Sequence, residues 1–226
     1  MQQLYDGKTK TLYDLGDGRV LIHFKDDVTG TEEGIDPGGN EVVGQIAGKG
    51  AAALRQSAYF FNLLAAHDVP THFISLAPDK QAMIAHRAKW YGLEFVVRFK
   101  AYGSFVRRYG KYVKEGAELG ALVEITLKDD QRGDPLVNDE ALVAMGIMEL
   151  PQVLAAKELV RKAATVIFND LKAKNIELLD MKFECGSIGD QLVIIDDIST
   201  DNMRIVKNGA KVGPEELLKL TVGVQA

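Results

Sequence analysis

The nine residues LLDMKFECG (178–186) alternate Asp180, Lys182 and Glu184 with Met181, Phe183 and Cys185. A period of two marks a strand with its charged residues on one face and its apolar residues on the other. After a Gly-Ser-Ile-Gly-Asp turn, LVIIDDISTDNMR (192–204) opens with four apolar residues and runs straight into Asp196 and Asp197. The pair predicts an antiparallel hairpin with one buried face and one acidic face. Acidic side chains on rigid strands are the hard oxygen donors that Mg2+ takes when it also holds nucleotide phosphates. The lysine between them suits a phosphate oxygen. One such strand reads most simply as a solvated face; two in succession point to a metal–nucleotide site.

The N-terminal stretch LYDGKTKTLY (4–13) reads as strand, glycine turn, strand. A hairpin bent at Gly7 could lay backbone N–H groups and the ammoniums of Lys8 and Lys10 against phosphates. It is not a Walker A loop, because that spacing is absent. Alone, G-K-x-K is a weak motif, since charged residues near a terminus are usually just solvated. Residues 1–25 read as a β-meander. A glycine-rich loop, residues 29–48, follows, with a turn signal at Pro37-Gly38-Gly39. It is too long for a simple connector and reads as functional or mobile, a candidate lid carrying Asp36, Glu41 and Gln45.

Residues 50–67 predict an amphipathic helix with Leu54, Ala58, Phe61 and Leu64 on one stripe. Strands are expected at 73–76, 83–98 and 122–127, and a short helix at 105–112. Leu150-Pro151 opens a long helix to about Lys174, and a last short helix covers 214–220. Strands, helix, strands, helix, strands is an α+β order with antiparallel sheets. Residues 98–114 form the one basic segment, with Arg98, Lys100, Arg107, Arg108, Lys111 and Lys114 and no acid between them. Lys111 and Lys114 fit a solvated helix face. Arg98 directly follows a buried strand and needs an anionic partner. Gly103-Ser104, at a helix start, offers N–H groups and a hydroxyl to an anion.

Composition narrows the function. The 226 residues are 46% hydrophobic, enough for one substantial domain or two lobes around a cleft. A net charge of −5 argues against nonspecific nucleic-acid binding. No apolar run approaches the length of a membrane helix, and the first residues show no signal-peptide core. A single cysteine, Cys185, excludes an internal disulfide framework and suits a reducing cytoplasm. It fits a packed thiol better than a nucleophile. His23, His67, His72 and His86 lack zinc-ligand spacing.

Seven segments occur in one order: LYDGKTKTLY, the Gly48-Lys49-Gly50 turn, VPTHF (69–73), EFVVRFKAYGS (94–104), TLKDDQRGDPLVND (126–139), LLDMKFECG and IIDDISTDNMR. In that order the chain resembles the SAICAR synthetases of purine biosynthesis, from about Leu4 to Arg204. The resemblance implies an N-terminal β-rich nucleotide-binding lobe (1–90), a C-terminal α+β lobe (91–226), and ATP in the cleft between them. It implies an ATP-dependent amide ligase that joins carboxyaminoimidazole ribotide to L-aspartate through an acyl phosphate, with ATP and Mg2+ as cofactors.

Carried over by position, Lys8, Lys10 and Lys128 would meet ATP, with Glu184 and Asp196 around ATP and the metal. Asp180 and Lys182 match the catalytic D-x-K pair, Lys182 on the transferring phosphate or the reacting carboxylate. Arg98, Ser104 and Arg204 would take the ribotide phosphate. Lys49, Ser199 and Asp201 would lie by the amino acid. Asp130 is expected to be only part of a polar turn. The chain departs from the family pattern at Phe99, Lys100 and Tyr102, at Asp197 for a longer carboxylate, at Thr200 for a proline, and in a longer 27–49 loop and a shortened C-terminal helix. These changes fall on the acid and amine side, so ATP use is implied more firmly than the partners it joins.

The alternatives are a paralogous ligase with another acid or amine, a small-molecule kinase resembling the inositol polyphosphate kinases, and a nucleotide-binding regulator. The first would differ in amine preference. The second is opposed by the VVRFKAYGS and TLKDDQRGDP stretches, and the third by the presence of the acidic ligands. The expected partners are small molecules, with no nucleic acid and no membrane. A homo-oligomer is compatible with the sequence and not required by it.

Overall fold

The structure, a computed structural model, describes residues 1–31, 34–35, 41–78 and 81–223. In chain order its elements are β1 (Gln2–Asp6), β2 (Lys10–Asp14), β3 (Arg19–Phe24), β4 (Asp27–Thr31), β5 (Gly34–Ile35), β6 (Glu41–Gln45), α1 (Lys49–Ala65), β7 (Phe73–Leu76), β8 (Ala82–His86), β9 (Lys89–Lys100), α2 (Ser104–Tyr109), β10 (Glu118–Leu127), β11 (Leu136–Val137), α3 (Asp139–Ala144), α4 (Leu150–Ala173), β12 (Glu177–Ile188), β13 (Gln191–Ile195), β14 (Met203–Lys207), β15 (Ala210–Lys211) and α5 (Pro214–Thr221). The class is α+β. A five-stranded sheet runs β1-β2-β3-β8-β7, and a larger sheet runs β11-β10-β9-β12-β14-β15 with β13 also paired to β12. A small third sheet has the order β5-β4-β6.

The register of the larger sheet explains how it serves both core and site. On β12, Asp180, Lys182 and Glu184 stand opposite Arg98, Val96 and Glu94 of β9. On β10, Glu124 and Thr126 stand opposite Val96 and Glu94. Alternation therefore gathers these polar residues on one face. Phe95, Val97, Ile125, Met181, Phe183 and Cys185 take the other face and are buried. They share one core with Val153, Val160, Ile167 and Leu171 of α4. Each large side chain so buried contributes roughly 1.5–3 kcal/mol. The α4 start is fixed by the Gln152 side chain, which accepts the Glu149 N–H at 3.0 Å, and by Pro151 in the first turn.

The same core continues through Phe60, Phe61 and Leu64 of α1 to Ile22, Phe24 and Met83 of the five-stranded sheet. Asp26 seats α1, its carboxylate accepting the N–H groups of Gly48 at 3.1 Å and Gly50 at 2.9 Å. Gly48 has φ +80, and a Cβ on Gly50 would lie 2.7 Å from the Lys25 carbonyl. Both positions of the Gly-Lys-Gly turn thus require glycine.

Two local expectations change. The stretch read as a glycine-rich loop carries β4, β5 and β6, with Val28 buried. The β-branched residues Val28, Thr29, Thr31, Val42 and Val43 supply the strand tendency that the glycines obscured. Of the candidate lid residues, Asp36 lies outside the described residues, as do 37–40. The single strand expected over 83–98 breaks at Arg87-Ala88, where the chain leaves one sheet for the other. Among the described residues no helix is long and apolar enough to cross a membrane.

Candidate active site

A cavity of about 430 Å3 lies between the five-stranded and larger sheets. Its apolar lining includes Leu12, Val20, Ile22, Ile195 and Trp90. Its charged lining includes Lys8, Lys10, Glu94, Lys128, Lys182, Glu184, Asp196 and Asp197. Strand geometry delivers these groups. Lys8 comes from the β1–β2 turn and Lys10 from the start of β2, Lys182 and Glu184 from the polar face of β12, and the aspartates from just past the end of β13.

Lys10 crosses the cavity and donates to Asp196 at 2.7 Å and to Asp197. Burial alone would lower its ammonium; the two aspartates raise it above the ordinary lysine value. Asp197 is held down at about 2 against its burial, by Lys10 and by the Ser199 hydroxyl, which donates to it at 2.6 Å. Asp196 has φ +69, a left-handed conformation uncommon outside glycine and asparagine. His72 Nε2 holds the Asp196 carbonyl at 3.1 Å. Burial pushes Asp196 above the usual carboxylate range, Lys10 opposing.

Burial and the nearby Asp196 charge push Glu184 up to about 7. Lys182 donates to Glu94 at 2.8 Å. Its own burial is outweighed by Glu94, Glu184 and Asp196, which keep it charged. Lys8 pairs with Asp130 at 2.8 Å, and Lys128 donates to the same carboxylate. Here the sequence expectation of a plain polar turn at Asp130 meets a residue that holds two candidate phosphate ligands.

Glu184 and Asp196 fit a divalent cation. They are two neighbouring hard-oxygen donors, and it is burial, with the Asp196 charge added, that raises Glu184. Among the described residues no group of three His, Cys, Asp or Glu side chains could hold a metal. That donor set suits Mg2+, which takes one or two carboxylates and completes its shell with phosphate and water.

A second cavity of about 250 Å3 shares Thr29 and Asp201 with the first. Its polar lining includes Lys49, Tyr102, Arg204 and Lys211. Lys49 is buried and donates to Asp201. Behind Arg204 sits a tight cluster. Arg98 donates to Glu124 at 2.6 Å, Asp180 at 2.9 Å and Ser104 Oγ at 3.0 Å. Arg204 donates to Asp180 at 3.0 Å. Gly103, with φ +53, admits this packing, since a Cβ there would lie 3.2 Å from the Arg204 guanidinium carbon.

The structure thus brings Lys8, Lys10, Lys128, Lys182, Glu184, Asp196 and Asp201 to the larger cavity, and Lys49, Asp201 and Arg204 to the smaller. Arg98, Ser104 and Asp180 form the cluster behind and line neither. Asp180, two residues from Lys182 on the same face of β12, stands between the guanidiniums of Arg98 and Arg204. Ser199 is fully buried; its hydroxyl donates to Asp197 and accepts the Asp201 N–H at 3.1 Å. Sequence reasoning missed Glu94 and His72. The signal for Glu94 was a lone carboxylate between Leu93 and Phe95, inside an otherwise apolar run; His72, after Pro70, carried none.

A family model of SAICAR synthetase matches residues 3–217. A phosphoribosylaminoimidazole-succinocarboxamide synthase of Clostridium tetani is 43% identical over 226 residues, covering 98% of this chain and all of that one. Its counterpart in Pyrobaculum calidifontis is 32% identical over 209 residues, 92% of this chain and 83% of the relative. Among solved structures, a SAICAR synthetase in complex with ADP superposes with a TM-score of 0.83 at 29% identity, over 93% of this chain and 87% of that one. The SAICAR synthetase of Pyrococcus horikoshii gives 0.85 at 28% identity, over 96% and 99%. The likeness extends over nearly the whole length in sequence and in fold, and it takes in every element that lines the two cavities: the chain belongs to the SAICAR synthetase family.

Proposed function

We propose that this enzyme joins carboxyaminoimidazole ribotide to L-aspartate through an acyl phosphate, consuming ATP and releasing ADP and phosphate in de novo purine biosynthesis. Its family is one of ATP-dependent ligases acting on small molecules, and one solved relative is an ADP complex. The observation that carries the reading is the larger cavity. Its apolar lining suits a base, and the same cavity sets Lys8, Lys10, Lys128 and Lys182 with Glu184 and Asp196. A cavity so rich in carboxylates accepts a polyphosphate only when a cation accompanies it.

In this reading Glu184 and Asp196 hold Mg2+, which would neutralise charge on the phosphates. Lys8, Lys10 and Lys128 bind the ATP phosphates. The acid's carboxylate oxygen attacks the γ-phosphorus, ADP leaves, and Lys182 bears on the phosphoryl group in transit. The amine nitrogen then attacks the acyl carbon, the C–O bond to phosphate breaks, and an amide forms. Arg204, backed by Arg98, Asp180 and Ser104, would meet the ribotide phosphate. Lys49 and the Ser199-to-Asp201 turn would flank the amino acid.

The division into lobes at 1–90 and 91–226, and a cytoplasmic location, belong to the same proposal. So does the possibility of a homo-oligomer.

Two measurements test it. Trp90, the single tryptophan, lines the larger cavity and is half exposed. Its fluorescence should report Mg-ATP binding in the wild type and lose that response in Asp196→Asn. ADP release with the ribotide acid should be fastest with aspartate in an amino-acid panel. Full activity of Asp196→Asn would refute the metal assignment; another amine outperforming aspartate would make the chain a ligase of different product.

A further inference from the structure

We infer that Glu94 is a positioning residue that sets the two ammoniums of Lys182 and Lys128 on either side of the phosphoryl group in transit. The inference rests on the nucleotide reading of the larger cavity. Glu94 sits in the middle of β9, is 6% exposed, and lines that cavity. A buried carboxylate on the floor of a polyphosphate site repels the ligand and is costly unless it is paired. Its partners are Lys182 at 2.8 Å, Lys128 at 3.6 Å and the Thr126 hydroxyl, which donates to it at 3.1 Å.

Their places in the sheet give the pairing its meaning. Lys182 belongs to β12, on one side of β9, and Lys128 follows β10, on the other. Glu94, on the strand between them, contacts both, while Lys128 also pairs with Asp130 and Asp134. Thr126 stands directly opposite Glu94 in the ladder and fixes the carboxylate in turn. The chain of contacts runs Thr126 to Glu94 to the two lysines, and Thr126 itself does not line the cavity.

Long lysine side chains have many rotamers, and ordering them before the substrate arrives is what a fixed carboxylate provides. Glu94 also stands opposite Glu184. A role as a further metal ligand is therefore the competing assignment for the test to separate.

Glu94→Gln keeps the size and removes the charge. Displacing a reacting group by about 1 Å costs on the order of 100-fold in rate, so kcat should fall about 100-fold while the KM for ATP changes less than threefold. The Mg2+ concentration for half-maximal activity should stay within twofold. Thr126→Val, which leaves the carboxylate and the cavity lining in place, should lower kcat about three- to tenfold in the same pattern. The double variant should be no slower than Glu94→Gln.

A kcat within twofold of wild type in Glu94→Gln would overturn the inference. So would a rise in ATP KM matching the fall in rate, or a tenfold rise in the Mg2+ requirement, which would make Glu94 a metal ligand. If Glu94→Gln does not fold, Thr126→Val decides: an unchanged kcat refutes. Absence of any Trp90 response to Mg-ADP in the wild-type enzyme would instead refute the nucleotide reading itself.

Discussion

Asp130 occupies two cations, Lys8 and Lys128, that nucleotide phosphates would need. The contact is partly solvated, Asp130 being 41% exposed in its side chain, so each ion pair is worth well under 1 kcal/mol. Asp130→Asn should then lower the KM for ATP by roughly two- to fivefold, as measured by steady-state kinetics; a raised KM would show that the carboxylate helps nucleotide binding. Asp197 works in the opposite sense. Its pKa falls from 3.8 to about 2 on folding, so its ionised form is favoured in the native state. That stability is present above pH 4 and is lost as pH falls through about 2, below which both states are protonated. Integrated, it is about 2 kcal/mol. Urea unfolding should find Asp197→Asn less stable at pH 7 by an amount of that order, about 2 kcal/mol, and the gap should close as pH falls through about 2. The sequence made Lys10 and Asp196 legible because each sits in a short motif with a recognisable strand beside it. The bonds of Glu94 and the Asp130–Lys8 pair were not legible, because each joins residues far apart in sequence, and no local spacing reveals a sheet register.

The helices α1 and α4 were legible at the level of elements, since a 3.6-residue apolar stripe is local information. The β4–β6 sheet was not, because glycines interrupt its strand pattern, although its pairing is local, from Thr31 with Gly34 out to Asp27 with Gln45. Element geometry also decides how the arginine cluster is built. The chain enters α2 through Gly103 at φ +53, ψ −127, against the Arg204 guanidinium. A side chain there meets both an unfavourable backbone region and that guanidinium. Gly103→Ala should cost about 1–3 kcal/mol of stability. The displaced Arg204 should raise the KM of the phosphorylated acid far more than that of ATP. Equal changes in both values would detach the α2 entrance from the ribotide site.

The two large sheets are joined across the whole molecule by more than a hinge. Ile194 of β13 donates to the Pro70 carbonyl at 3.0 Å, and its own carbonyl accepts the His72 N–H at 2.9 Å. Lys10 and Lys8 cross the cavity to Asp196, Asp197 and Asp130. Helix α1 precedes the proposed lobe boundary at residue 90 yet packs on α4 and α5, beyond it, and one large apolar core spans both sheets. Such a chain should unfold in one cooperative step. Two reporters sit on opposite faces of the larger sheet, on the adjacent strands β9 and β12. Trp90 lines the cavity between the sheets. Cys185 is fully buried on the α4 side of β12, where burial pushes its thiol well above the ordinary cysteine value, so the native thiol should be inert to thiol reagents. In a urea titration Trp90 fluorescence, Cys185 labelling and far-UV circular dichroism should therefore share one midpoint. Mg-ADP at 100 times its Kd should move all three together, by about 2.7 kcal/mol. A Trp90 transition that precedes Cys185 labelling would mean that the five-stranded sheet undocks first, and that the lobes at 1–90 and 91–226 are separate folding units despite their shared core.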